Sequence, residues 1–167
     1  MPGPSAIKAI ALDVDGVLTD GSFWWGPDGQ EWKRFNFRDV MGISQAQKAG
    51  IMFALISGED SPLVDRFARK MNMAGVFKGC KDKGMALKEF AAQNGLALAA
   101  IAFMGDDIND LGAMKMAGLS AAPANAHPSV LEQVAFVAKA WGGHGAVREL
   151  VDHLLLGNSG SFDPIKK

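Results

Sequence analysis

Short apolar runs recur along this chain, and each one halts in residues that carry chemistry. Residues 7–12 (IKAIAL) stop at Asp13-Val14-Asp15-Gly16, residues 51–56 (IMFALI) at Ser57-Gly58, and residues 100–104 (AIAFM) at Gly105-Asp106-Asp107. Apolar runs this short, without polar alternation, suit strands buried on both faces, as in a parallel sheet. Between them lie segments of helical spacing: 39–48 before Gly50, 61–71 with Pro62 in the first turn, 83–94 stopping at Gly95, 110–117 closed by Gly118, then 128–134 and 147–156. A proline in a first turn loses only an N–H that has no partner there, and glycine suits a helix end. Val76-Phe77 and residues 119–122 add two shorter strands. Strand and helix alternating over 167 residues predict one α/β domain, a Rossmann-like, mostly parallel sheet with helices on both faces. Its expected span is 1–156, with 157–167 (GNSGSFDPIKK) as a flexible C-terminal tail. Ligands of such sheets gather at the carboxyl ends of strands, where Asp13, Asp15, Ser57 and Asp106 all fall.

Residues 21–37 interrupt the alternation. Two aromatic-rich arms flank Gly26-Pro27-Asp28-Gly29, a strong turn signal, and predict a β-hairpin inserted after the first strand. Its Trp24, Trp25 and Trp32 suit self-association, a ligand-stacking platform or an outward partner surface.

Composition removes several function classes. Hydrophobic residues make up 49% and charged residues 21%, enough to bury a core, and the formal charge of -1 provides no positive field for nucleic acid or an anionic membrane. No run approaches the roughly 18 apolar residues of a membrane span, and the first residues lack the apolar stretch of a signal peptide. The expectation is a soluble, cytoplasmic protein. One cysteine, Cys80, forms no internal disulfide and no multi-cysteine metal site, and a reducing compartment fits that.

Asp13 and Asp15 reach one site only if the chain bends as it leaves the strand, which Gly16 permits; taken alone the pair also fits a solvated strand exit. A carboxylate can attack phosphorus to give an aspartyl-phosphate, but a phosphate ester repels an anion, so a divalent cation and positive donors must neutralise the charge. Asp106 offers another carboxylate for a hard cation such as magnesium, Ser57 and the Gly58 amide near a helix start can cradle phosphate oxygens, and Lys83 brings positive charge. A residue two after the nucleophile can protonate the leaving oxygen and later deprotonate water, so Asp15 argues for hydrolysis. A receiver-like phosphoacceptor needs no acid there.

DVDGVLTD, ISG, the lysine of KDK and GDDIND together, in that order, resemble the four motifs of the haloacid dehalogenase superfamily. The resemblance implies Asp13 as nucleophile, Asp15 as general acid and then base, Ser57 as phosphate-binding hydroxyl and Lys83 as the phosphoryl-steadying cation; Lys81 competes, and the family pattern favours Lys83. It implies magnesium held by Asp13, the Asp15 main-chain carbonyl and Asp106. Asp107 and Asp110 are supporting acids or simply charges at a helix N-terminus. Only 44 positions separate Asp13 from Ser57, 26 Ser57 from Lys83 and 23 Lys83 from Asp106, so no interval holds a lid domain.

A closer resemblance, over nearly the whole chain, is to the capless branch that contains phosphatases of eight-carbon (octulosonate) and nine-carbon (nonulosonate) 2-keto-3-deoxy sugar acids. It rests on DGxxxWxxxGQEWKRFNFRDVMGI over 20–43, GDDIND over 105–110 and GGHGAVREL over 142–150. It implies a sugar-acid phosphate substrate, a homotetramer built by the hairpin, and a substrate site lined by Asn36, Arg38 and Asp39. A guanidinium fork suits a sugar-acid carboxylate, though Arg38 also reads as an exposed strand-end charge. Eight-carbon enzymes usually carry arginine after the serine motif, where this chain has Glu59. Nine-carbon enzymes resemble it more, with glutamate there and a lysine eleven residues on, here Lys70. Both residues also fit helix-end charges. His144 stands where eight-carbon enzymes often have arginine.

His127 and His153 lie outside any acidic or cysteine cluster and read as capping or surface groups. Met71, Met73, Met85, Met104, Met114 and Met116 read as core filling, and Cys80 as an inert thiol. The expected activity is magnesium-dependent hydrolysis of a sugar-acid phosphate through an aspartyl-phosphate. Its rivals are a non-hydrolytic phosphoacceptor, an assembly module with a dead site, a phosphatase of broad specificity and, last, a phosphomutase.

Overall fold

A computed structural model describes residues 7–156 of the chain. Strand β1 (Ala9–Leu12) alternates alanine with a large residue, and the alternation divides the core. Ile10 and Leu12 join the layer that holds Ile43, Val64, Phe67, Val147 and Leu150, while Ala9 and Ala11 join the layer that holds Leu87, Phe90, Met114 and Val130. All four strand residues are buried. A fully buried Ile, Leu or Phe contributes about 1.5–3 kcal/mol, so these two layers are the main source of stability.

The remaining strands of the sheet are β4 (Met52–Ile56), β5 (Gly75–Phe77), β6 (Ile101–Met104), β7 (Leu119–Ala122) and β8 (Phe136–Val137); β2 (Trp24–Trp25) and β3 (Glu31–Trp32) form a separate ribbon. The six-stranded sheet has the order β5-β4-β1-β6-β7-β8, and every pair in it is parallel. The order reverses at β1, between β4 and β6, which opens a crevice beyond the carboxyl ends of those strands. Register completes the placement: Leu12 pairs with Leu55 on one side and Met104 on the other, so Asp13, Ser57 and Gly105-Asp106 leave the sheet as neighbours.

One layer of helices contains α1 (Phe37–Lys48), α2 (Pro62–Lys70) and α6 (Ala146–Leu156); the opposite layer contains α3 (Lys83–Gln93), α4 (Leu111–Met116) and α5 (Pro128–Leu131). Capping explains their starts. The side chains of Asn36, Ser61 and Asp82 accept from the amides of Arg38, Leu63 and Met85, and Pro62 and Pro128 occupy first turns. His127 caps α5 through Nδ1, and His153 stacks on Phe136 with ring centroids 4.8 Å apart, in line with the capping and surface roles expected of them.

Several expectations need correction. Helix α5 ends at Leu131 instead of 134, and the segment before α4 is a 3-10 turn, Ile108–Asp110. Strand β8 was not expected, because two residues at a sheet edge set no readable period. Met85 is 59% exposed, so it is not core filling, whereas Met71, Met104 and Met114 are buried. The hairpin forms with Trp24 opposite Trp32, and its aromatics Trp24, Trp25 and Trp32 remain at least half exposed. The tail expected over 157–167 lies outside the described residues. Among those residues no helix is long and apolar enough to cross a membrane.

Candidate active site

The end of β1 forms the floor of the site. The Asp13 amide donates to the Met104 carbonyl at 2.9 Å, which ties the two central strand ends together and leaves the Asp13 side chain almost wholly buried. Lys83 opens α3 from the opposite helix layer, held there by the Asp82 cap, and its Nζ lies 2.8 Å from Asp13 Oδ1 and 2.6 Å from Asp110 Oδ1. Asp110 Oδ2 accepts from the amides of Asp106 at 2.9 Å and Asp107 at 3.2 Å. Asp110 is thus a buried clasp: one oxygen orients the lysine and the other shapes the loop that presents Asp106. Asp107 takes the helix-end role, its carboxylate accepting from Ile108 at 2.7 Å.

Crowding sets the electrostatics. Asp13, Asp106 and Asp110 each offer an oxygen within 4.8 Å of the others. Burial first, then the Asp110 carboxylate, pushes Asp13 well above the usual carboxylate range against the pull of Lys83. The same two causes raise Asp106 to about 6. Burial works against the charge on Lys83, but Asp13 and Asp110 outweigh it and raise its pKa. Negative charge therefore exceeds what one lysine neutralises. A hard divalent cation fits this donor set, with Asp13 and Asp106 as its carboxylates, since both Asp110 oxygens are already engaged.

Above the floor lies an open cleft of about 530 Å³ lined by Asp13, Asp15, Gly58, Glu59, Cys80, Lys81, Lys83, Asp106, Asp107 and Asn109. Lys81 lines the wall without an ion pair among the described residues, whereas Lys83 reaches the floor. Burial pushes the Cys80 thiol pKa up, as suits an unreactive thiol. Ser57 is buried at the carboxyl end of β4, its Oγ accepting from Glu59 N at 3.1 Å. It does not stand at a helix start, because the cap of α2 is Ser61. Gly16, at φ +90°, makes the bend after β1, and a β-carbon there would run into the Asp106 carboxylate.

Asn36, Arg38, Asp39 and Lys70, expected at the substrate, do not line this cleft. Asn36 caps α1 and donates from Nδ2 to the Gly143 carbonyl at 3.0 Å. Asp39 is buried, raised in pKa by that burial, and accepts from Arg148 N at 2.9 Å near the start of α6. Their polar atoms hold α1 against the 143–148 segment, which is a structural use. Arg38 is exposed on the first turn of α1 beside Gly145. Lys70 lines a different, more apolar groove of about 410 Å³ with Trp32, Phe35, Phe37, Val40 and Phe67. His144 accompanies Arg34, with Nε2 and Nη2 3.1 Å apart. Two residues at the site escaped the sequence reading. Asn109 sits inside the GDDIND motif, so its position was the available signal; Lys33, whose Nζ lies 2.6 Å from Asp15 Oδ1, belongs to a hairpin arm with nothing local to mark it.

Residues 72–150 match the model of the haloacid dehalogenase-like hydrolases. The chain is 38% identical over 160 residues to the 3-deoxy-D-manno-octulosonate 8-phosphate phosphatase of Escherichia coli K12, covering 96% of this chain and 85% of that protein. Solved structures agree. The enzyme of that name from Moraxella catarrhalis, in complex with magnesium, phosphate and KDO, superposes with a TM-score of 0.89 at 33% identity over 92% of this chain and 88% of the other. The cobalt-bound phosphatase from Haemophilus influenzae gives 0.88 at 37% identity over 92% and 90%. With the fold, the capless cleft and whole-chain identity in agreement, the chain belongs to the 3-deoxy-D-manno-octulosonate 8-phosphate phosphatase family of the haloacid dehalogenase-like hydrolases.

Proposed function

We propose that this phosphomonoester hydrolase removes phosphate from a 2-keto-3-deoxy sugar acid through an aspartyl-phosphate on Asp13. The observation that carries the reading is the buried Asp13 carboxylate, paired with Lys83 on the cleft floor and overlooked by Asp15. In the first step an Asp13 oxygen attacks phosphorus, the ester P–O bond breaks, and Asp15 gives its proton to the leaving oxygen. In the second, Asp15 takes a proton from water as that water attacks the aspartyl-phosphate, which restores Asp13 and releases phosphate. Lys83 offsets charge on the transferring group, and Ser57 with the Gly58 amide holds its oxygens. Magnesium, which the Moraxella catarrhalis relative contains, would be held by Asp13, the Asp15 carbonyl and Asp106. When bound, it neutralises the phosphate facing those carboxylates.

A carboxyl raised in pKa on folding binds its proton more firmly in the native state, so stability falls as pH climbs from the unfolded value of 3.8 through about 6 for Asp106. Asp13 and Asp39 shift in the same direction. Asp20 and Glu31 shift the other way but lie near solvent. The metal-free protein is expected to melt at a lower temperature near neutral pH than at weakly acid pH, and magnesium to raise that temperature more at neutral pH. Thermal melts with EDTA and with magnesium check this. An equal shift at both pH values would count against a site made of these carboxylates.

Carbon number divides two readings. The named relatives favour the eight-carbon ester, while Glu59 in the cleft wall, standing where eight-carbon enzymes usually carry arginine and nine-carbon enzymes glutamate, favours a nine-carbon one by resemblance. The deciding assay is magnesium-dependent phosphate release, as kcat/KM, from octulosonate 8-phosphate, a nine-carbon nonulosonate 9-phosphate and a hexose 6-phosphate. A keto sugar acid is expected to win by about tenfold or more. Equal slow rates on all three would retire the substrate reading. Glu59→Arg is expected to move the ratio toward the eight-carbon ester by about tenfold, and an unchanged ratio would remove Glu59 from specificity. A cytoplasmic homotetramer completes the proposal; the exposed hairpin tryptophans support self-association.

A further inference from the structure

The hairpin is fastened to the catalytic domain by charged and polar groups. Glu31 on β3 accepts from Trp25 Nε1 at 3.0 Å and from the hydroxyl of Ser61, the α2 cap, at 3.3 Å. Two residues on, the Lys33 side chain turns inward until it is only 2% exposed, and its Nζ reaches Asp15 Oδ1 at 2.6 Å. Glu31 Oε1 is a more distant neighbour at 3.7 Å. Among the described residues Lys33 is the only hydrogen-bond partner of the Asp15 side chain. A long cation is thus buried at entropic cost to hold a carboxylate whose own side chain is 27% exposed.

We propose that Lys33 is the positioning residue for Asp15, an inference that rests on the aspartyl-phosphate reading. A general acid must sit within hydrogen-bond reach of the leaving oxygen, and a displacement of about 1 Å can cost on the order of 100-fold. Asp15 stands on the loop that turns at Gly16, where its carboxylate is otherwise free to rotate. Lys33 occupies Oδ1, so Oδ2 faces the exchange. The proton passes from Oδ2 to the ester oxygen as the P–O bond breaks, and returns to Oδ2 from the water that attacks the phosphoenzyme. Lys33 is not among the residues that line the cleft, so it acts through the aspartate. Because Glu31 and Lys33 share one arm, the seating of the hairpin sets the aim of the acid.

The test compares kcat/KM on three esters, because that ratio reports phosphoryl transfer to Asp13 before any phosphoenzyme is hydrolysed. Octulosonate 8-phosphate and hexose 6-phosphate have alkoxide leaving groups that need a proton, whereas p-nitrophenolate leaves p-nitrophenyl phosphate without one. Lys33→Met is expected to lower kcat/KM on both alkyl esters by about 10- to 100-fold and on the aryl ester by less than about threefold, a fraction of what a general acid supplies. Lys33→Arg, which keeps a cation, recovers part of the alkyl rate. The partly exposed Asp15 is not stranded in the core by Lys33→Met, so the variant folds, and a thermal melt verifies it. Equal losses on all three esters, a loss confined to the carboxylate-bearing ester, or an arginine variant as poor as the methionine one would each overturn the proposal. Asp15→Asn run in parallel separates the premises: if it also lacks the alkyl-to-aryl difference, the acid assignment itself has failed and takes the proposal with it.

Discussion

Asp13→Asn is expected to abolish turnover while leaving the fold at least as stable as before. The amide oxygen is a poor nucleophile and cannot form the acyl-phosphate, so kcat should fall by roughly 10⁴- to 10⁶-fold, the range seen when a covalent nucleophile is removed. Acid quenching during turnover should trap no protein-bound phosphate in the variant and a measurable fraction in the parent. Stability moves the other way. Asp13 is buried among like charges, burial and Asp110 raise its pKa, and a neutral isostere removes both costs while Lys83 keeps Asp110. The melting temperature of the metal-free variant should therefore equal or exceed that of the parent near neutral pH. Residual activity above about one per cent of the parent would exclude Asp13 as the nucleophile, because no second pathway of that efficiency is available from binding alone.

Lys83→Met should damage both chemistry and fold. Its ammonium is 2.8 Å from Asp13 and 2.6 Å from Asp110, and all three side chains are buried. Removing one partner of a buried ionic cluster strands the others and costs about 3–5 kcal/mol. For a domain of this size that is a fall in melting temperature of about 6–20 °C. Activity should drop by about 10²- to 10³-fold, the usual loss for a donor aimed at developing charge. The stability deficit should shrink as pH falls, because Asp13, raised in pKa by burial and by Asp110, no longer needs a cation once protonated. A deficit independent of pH would mean that lost packing of the lysine stem, not lost charge, dominates.

The sheet and the acidic floor were legible because their signals are local. An apolar run of four residues flanked by turn chemistry reports burial on both faces wherever it occurs, and IKAIAL, IMFALI and AIAFM became β1, β4 and β6 with their ends within one or two residues of expectation. Adjacent strand ends then bring Asp13 and Asp106 together, and the lysine that opens α3 approaches them from the opposite layer. The FNFRD segment was less legible because its residue types suit two uses. Asn36 and Asp39 are good ligands for a hydroxylated substrate and equally good helix caps, and only the packing of α1 against the 143–148 segment shows that the Asn36 amide nitrogen and one Asp39 oxygen are engaged there.

By itself, the order of apolar runs and the residues that end them determined a parallel α/β sheet, the crevice where a ligand binds and the carboxylates at its base. Tertiary structure alone decided that Asp110 clasps Lys83, that Lys70 and Glu59 line different cavities, and that Lys33 reaches Asp15 across 18 positions of sequence. The division follows from range. Strand burial and helix capping are settled within a few neighbours along the chain, whereas the direction of a long charged side chain depends on which partner from a distant segment meets it in the core.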